Sequence, residues 1–469
     1  MKPERWPEIL PIALAVVGLG VLSLWWRHEP GLPLPLRVPG TDERPTDTGA
    51  PAGNPILLGE LVMGSVGVTV PEHPGFWPQF RGPQRDGVAP AGTRLARQWG
   101  PTGPRQLWKI EVGEGYAGPV VVQGRVYLMD YLRDTQQDAL RCLSLADGRE
   151  LWRYVYPVAV KRNHGMSRTV PAVSSNLVVA MGPKCHVICV DALTGALRWG
   201  IDLEGDHGAT VPPWYAGQCP LIDQGRVILA PGGPEALLMA VDLETGQVLW
   251  QTPNPLGWRM THSSVMTMEI GGETSYVYCA SGGVVGVAPD DGRILWQTPD
   301  WRISIAMVPS PVPVPGERLF LSGGYNAGSM MLSFDGSPDA IEPVADFRLT
   351  ARQFGATQHT PILFQDHLYG IHPDGPLVCL DLDGNTLWSS EDARFGLGPF
   401  LIADGLIFAV DDQGTLTVAE ATPEGYRQLA RAEILQQGHD AWGPLALAGD
   451  RLLLRDLTRM VCLDVGANP

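Results

Sequence analysis

One spacing constrains this chain more than any other feature. Gly-x-x-x-Trp recurs at Gly148/Trp152, Gly195/Trp199, Gly246/Trp250, Gly292/Trp296 and Gly384/Trp388. Successive tryptophans lie 47, 51, 46 and 92 residues apart, and because 92 is twice 46, one unit near residue 342 has kept its length and lost its tryptophan. Trp108, 44 residues before Trp152, extends the ladder backwards. Within a unit such as 170–199 the order is an apolar run (VPAV), a second (NLVVAMG), a third (CHVICVD), then a Thr-Gly turn and LRW. Short apolar runs bounded by turn residues are strands, so each unit holds four.

First runs of this kind occur near 118–123, 170–173, 219–222, 263–268, 309–314, 360–364, 398–402 and 443–448, which makes eight units of about 46 residues. The predicted fold is therefore all-β, an eight-bladed β-propeller of four-stranded blades. The last unit stops after three strands, so the orphan strand Gln106–Val112 is expected to supply its fourth, an N-to-C closure that leaves no sheet edge open. The repeated glycine makes the turn between third and fourth strands, and the tryptophan lays its ring across the neighbouring blade. Trp108, Trp152, Trp199, Trp250, Trp296 and Trp388 are read as structural docking residues. With 56 glycines and 43 prolines but only 18% charged residues, the composition suits many short strands joined by tight turns.

Ahead of the repeats, Ile9 to Trp26 is almost wholly apolar and long enough at 1.5 Å per residue to come close to spanning a bilayer core. Trp25, Trp26 and Arg27 stand where a cleavage site would need small residues, so an uncleaved transmembrane helix is expected. Lys2 and Arg5 before it favour a cytoplasmic N-terminus, which places the propeller on the extracytoplasmic, periplasmic side of the membrane. The division that follows is an anchor over 1–28, a Pro/Gly-rich linker over 29–55, a segment packed on the propeller over 56–100, and the propeller over 101–469.

A formal charge of -16, with no Lys/Arg cluster to offset it, excludes nucleic acid as a partner. Four of the seven cysteines recur at one strand position, in Cys142-Leu143, Cys189-Val190-Asp191, Cys379-Leu380-Asp381 and Cys462-Leu463-Asp464, and are read as buried apolar residues. Cys185 and Cys189 lack the second pair that a zinc site needs.

The units VDALTGALRW (190–199) and VDLETGQVLW (241–250) resemble the tryptophan-docking pattern A-x-D-x-x-T-G-x-x-x-W of the quinoprotein alcohol dehydrogenase-like superfamily. The resemblance spans about 75–465. Within that superfamily WPQFRGPQRDG (77–87), GEGYAGPVV, RTVPAV and GPFLIADG look like the bacterial PQQ-binding-like repeat proteins, a group related to the propeller lipoprotein of the outer-membrane β-barrel assembly complex. Catalytic members of the superfamily hold their quinone between a tryptophan and a disulfide of adjacent cysteines, with a calcium ion and an aspartate base. Here no two cysteines are adjacent and Cys-x-x-Cys-His is absent. The expectation is a non-catalytic binding or scaffold module without metal or cofactor, whose partners are envelope proteins or peptides, or a small anionic or sugar ligand. A dehydrogenase of alcohols or sugars using PQQ with calcium is the alternative.

Loops leading into the innermost strands converge on one mouth of a propeller's channel, where ligands bind by default. Candidates there are Tyr116, His164, Arg168, Trp214, Tyr215, Arg259, His262, Arg352, His359, His439 and Trp442, a mixture of cationic, imidazole and aromatic groups. His164, His262 and His359 would hold a metal only if their blades brought them within about 2 Å of a common ion, and wide blade spacing opposes that.

Overall fold

Strands such as Leu177–Met181, Gly283–Val287 and Leu406–Val410 are buried along their whole length, the state of a strand covered on both faces by neighbouring sheets. The fourth strands, such as Val248–Gln251, bury only part of their residues and form the rim. The computed structural model describes residues 15–24, 54–64, 70–100, 102–337 and 340–467. Within them the chain forms eight antiparallel sheets of four consecutive strand positions, one of which gains a fifth strand. Blades 1 to 7 cover 120–157, 172–202, 221–251, 266–298, 312–349, 362–394 and 400–433. Blade 8 joins 446–464 to the strand Arg105–Glu111, with Trp108 opposite Cys462 and Lys109 opposite Val461. Eight blades and closure by the strand carrying Trp108 are thus as the repeat predicts. Innermost strands touch in turn from blade 8 through blades 1, 2 and 3, and again from blade 4 through blade 7, which sets them round one axis.

The ladder residues explain the spacing. Gly148, Gly195, Gly246 and Gly292 have φ of 73°, 75°, 72° and 72°, and a Cβ on any of them would meet the ring of Trp108, Trp152, Trp199 or Trp250 at 2.9 Å or less. Only glycine gives both the left-handed turn and the space for the preceding blade's indole. The indole N–H is then donated to the carbonyl three residues before the glycine position, as in Trp108 to Leu145 (2.7 Å), Trp199 to Leu243 (2.9 Å), Trp250 to Pro289 (2.9 Å) and Trp388 to Thr422 (2.8 Å). Asp191 and Asp242 close the same turns, accepting from the Thr194 and Thr245 backbone N–H and hydroxyl at 2.8–2.9 Å.

Two ladder positions depart from the pattern. The acceptor offered to Trp152 is Ala192, and the Tyr127 hydroxyl takes it instead at 3.0 Å, leaving the Trp152 N–H without a partner. In blade 5 the third and fourth strands lengthen into Gly328–Ser337 and Ala340–Leu349, and Trp296 packs with its ring centre 4.8 Å from that of Phe334. The missing tryptophan of that blade is Phe347, whose ring lies 2.8 Å from the Cβ position of Gly384.

Ahead of the closing strand, Glu60–Met63 pairs antiparallel with the outer strand of blade 1. Residues 77–89 then run down the axis. Trp77 exchanges backbone bonds with Val121 of blade 1 (2.8 Å each), the Pro78 carbonyl accepts from Val173 of blade 2 (2.8 Å), and Ala89 and Gly87 pair with Ile402 of blade 7 (2.8 and 3.0 Å). Arg85 donates to the carbonyls of Pro220 in blade 3's approach and Val265 in blade 4's, both at 3.1 Å. Arg81 donates to those of Thr360 (2.6 Å) and Pro361 (2.9 Å) before blade 6. Both arginines adopt left-handed backbone (φ 62° and 57°), a local cost of about 1–2 kcal/mol each that their several carbonyl bonds offset.

Residues 15–24 are helical, with Val16, Leu19, Leu22 and Leu24 exposed. Among the described residues no helix is long and apolar enough to cross a membrane. The remainder of the expected anchor, 1–14 and 25–28, and linker residues 29–53 lie outside the described residues.

Candidate functional site

Four residues before each innermost strand the chain crosses from rim to axis, and the residues there are Tyr116, Arg168, Gly217, His262, Val308, Gln358, Gly396 and Trp442 in blade order. Four of the candidates from sequence therefore occupy one structural position in blades 1, 2, 4 and 8. Tyr116 lies at the centre of the group. It is 6% exposed, the Arg168 guanidinium sits 5.0 Å from its ring centre, and the Trp442 ring lies 5.1 Å away at 32°. The Tyr116 hydroxyl donates to Asp440 at 3.4 Å and the Trp442 N–H to Asp412 at 2.7 Å. Burial beside Asp440 pushes the Tyr116 phenol up to about 12.

Arg168 donates through Nε to the Trp214 carbonyl (2.5 Å) and through Nη2 to that of Asn163 (3.3 Å). Burial lowers it to about 10, so it stays cationic at neutral pH. Trp214 faces His262 with ring centres 6.2 Å apart. Burial, then the Arg168 charge, lowers His262 to about 3, and its buried Nε2 has no hydrogen-bond partner. Tyr215, at φ 69°, donates its hydroxyl to the Lys161 carbonyl at 2.5 Å.

Other candidates lie apart from this group. His164 (φ 55°), Arg259 and His439 are exposed, His439 standing 3.8 Å from Asp440. His359 is 8% exposed and faces Phe400 at 6.4 Å; burial lowers it to about 4. Arg352 is placed away from the mouth, in an open polar cleft of about 710 Å³ with Gln353, His372 and Arg394, three residues after blade 5's last strand ends at Leu349 and ten before the innermost strand of blade 6 begins at Ile362. His186 is 6% exposed and edge-on to Tyr156.

Sequence reasoning passed over Arg81 and Arg85. The signal was present, since WPQFRGPQRDG packs aromatic and cationic residues into a stretch outside the repeat. It was legible as a family resemblance but not as the filling of a channel. Between this segment and the mouth remains a cavity of about 70 Å³ lined by Trp77, Phe80, Arg81, Gln358, His359 and Trp442.

The cavity beneath the mouth does not fit a quinone held with calcium. The cavity is far below the roughly 300 Å³ at which ligand pockets begin. Among the described residues no group of three or more His, Cys, Asp or Glu is placed to hold a metal ion, and all seven cysteines are buried and unbridged.

An eight-bladed ring zipped by its own ends, with tryptophan-docked PQQ-like repeats and a polar–aromatic mouth, defines the class. The family model described as outer membrane protein assembly factor BamB matches residues 88–211 and 136–389, and the chain belongs to that family of PQQ-like propellers. A search of curated proteins finds no match. Among solved structures, BamB from Moraxella catarrhalis is similar at 14% identity and TM-score 0.52, covering 78% of this chain and 99% of that one. A quinohemoprotein alcohol dehydrogenase, ADHIIG, from Pseudomonas putida HK5 is similar at 12% identity and TM-score 0.56, covering 85% and 81%. A europium-containing methanol dehydrogenase is similar at 13% identity and TM-score 0.57, covering 81% and 89%. At these identities the likeness is one of fold.

Proposed function

We propose that this chain is a membrane-tethered propeller working outside the cytoplasm as a non-catalytic binding module, offering its mouth to a protein or peptide of the cell envelope. The observation that carries the reading is that residues 77–89 occupy the channel, bonded to six blades or their approaches, so that the mouth is an outward-facing surface over a filled axis. The family's description as an assembly factor and the apolar run before the propeller are in keeping with it.

Crosslinking capture from intact cells tests the proposal. Envelope proteins are expected with the wild type and are expected to be lost with Trp442→Ala and Arg168→Ala; capture unchanged in both variants removes the mouth from the proposal. Purified protein mixed with PQQ and calcium provides the opposing arm. A quinone absorbance that stays with the protein, together with dye reduction on adding alcohols, would establish a dehydrogenase instead. Protease shaving of intact and permeabilised cells reads the side of the membrane, and protection of the propeller in cells with a permeabilised outer layer would overturn the extracytoplasmic assignment.

A further inference from the structure

The mouth has a charge asymmetry that points to the chemistry of its partner. Loops 158–168 and 252–262, which lead into blades 2 and 4, contain Lys161, Arg162, Arg168 and Arg259 and no Asp or Glu, in a chain whose formal net charge is -16. Arg162 is paired with Glu114 at 2.6 Å. Arg168 is held only by two backbone carbonyls and the face of Tyr116, and among the described residues neither it nor Arg259 forms an ion pair. The ionisable groups nearest Arg168 are the phenols of Tyr116, Tyr215 and Tyr325, brought from the approaches of blades 1 and 3 and from blade 5. Among the carboxylates on the approaches, Glu114 of blade 1 is paired with Arg162 and Arg133, Glu204 and Asp206 lie in the short helix after blade 2, and Asp412 and Asp440, from blades 7 and 8, engage Trp442 and Tyr116.

A cation in a partly desolvated place with no counter-ion attracts a carboxylate strongly, because the low local dielectric magnifies the charge-assisted hydrogen bond. His262, neutral at physiological pH and with its buried Nε2 unpaired, adds a polar group on the same side. Trp214, half-buried beside His262, gives this side an aromatic neighbour of the kind that surrounds a charged anchor in a protein interface.

We infer that the quadrant of the mouth between blades 2 and 4 docks an acidic segment of a protein partner, one carboxylate of which bonds to Arg168 beside His262 while the rest of the segment lies along Trp214. This rests on the mouth being the binding surface proposed above. Arg259, exposed on the loop that leads to His262 and apart from the Arg168 group, would add only longer-range attraction.

The test uses the full chain and two short fluorescent peptides of equal length, one rich in Glu and one with Gln in its place. The Glu peptide is expected to bind more tightly, to weaken about tenfold in Arg168→Gln and a few-fold in Arg259→Gln, and to dissociate as salt rises. Arg352→Gln, in the separate cleft, is expected to leave binding unchanged. Arg168→Gln also removes bonds to the Trp214 and Asn163 carbonyls, so Arg259→Gln, which breaks no bond of the fold, keeps the test decisive if the first variant melts early. Equal binding of the Gln peptide overturns the inference. So does displacement of the Glu peptide by equimolar inorganic phosphate, which would make this a small-anion site. If envelope proteins are still captured through the mouth but the Glu preference is absent, only this inference falls. If the preference holds while cells yield no captured partner, the proposed function falls and the acidic specificity stands.

Discussion

The rim and the axis of this molecule hold eight blades together by opposite means. At the rim one contact is repeated: an indole on a glycine turn, its N–H on the carbonyl three residues before. At the axis nothing repeats, and one segment meets the blades one after another, with Arg81 and Arg85 donating to carbonyls that the innermost strands leave open. The rim joins only neighbours, whereas the axial segment joins blades that never touch. A periodic contact can be lost in one blade without consequence for the next, as blade 5 shows by substituting Phe347. The axial contacts have no such redundancy, since each arginine serves a different set of blades.

Replacing a ladder tryptophan should have the largest effect. Trp199→Ala is expected to lower apparent stability by about 3–5 kcal/mol in urea unfolding, with exchange protection lost mainly in blades 2 and 3. Protection lost evenly round the ring would show that rim contacts are not local. Arg85→Met is expected to cost about 2–3 kcal/mol by leaving buried carbonyls unpaired, and to loosen blades 3 and 4 together. If only one of them responds in hydrogen exchange, the axis is no bridge between blades.

A third prediction concerns the contact between blades 1 and 2. Asp138 is fully buried, burial raises its carboxyl to about 8, and it lies with the Tyr156 hydroxyl against Gly182. The unfolded carboxyl ionises near its ordinary value of 3.8 while the folded one keeps its proton to about 8. Between those limits the folded state binds more protons, so stability falls as pH rises through that window. Asp138→Asn should flatten the fall, and melting curves of equal slope against pH in both proteins would refute the buried proton. The smallest effect compares Trp199→Phe with Trp152→Phe. Only Trp199 donates its N–H, so its loss should cost about 1 kcal/mol more, unless the Tyr127 hydroxyl does not occupy the Ala192 carbonyl.

Tyr116, Arg168, His262 and Trp442 were legible in the sequence because they stand at a fixed offset before strands that the apolar runs reveal. Arg352 was not, since it stands ten residues before its innermost strand and not four, and nothing in the local pattern records where along a long approach the chain reaches the axis. Arg81 and Arg85 in the channel were missed because of distance. Their partners on the blades are backbone carbonyls, which carry no side-chain signature, and those lie 134 to 280 residues away.

The order of residues alone determined the number of blades, their four-strand content and the closure through Trp108, because each depends on short-range periodicity and on turns that only glycine can make. Tertiary structure alone decided that 77–89 fills the axis, that Phe347 stands in for an indole, and that Arg168 lacks a counter-ion. Those outcomes depend on which distant backbone and side-chain groups meet in space. Hydrogen bonding and desolvation act on that proximity, which no local pattern encodes.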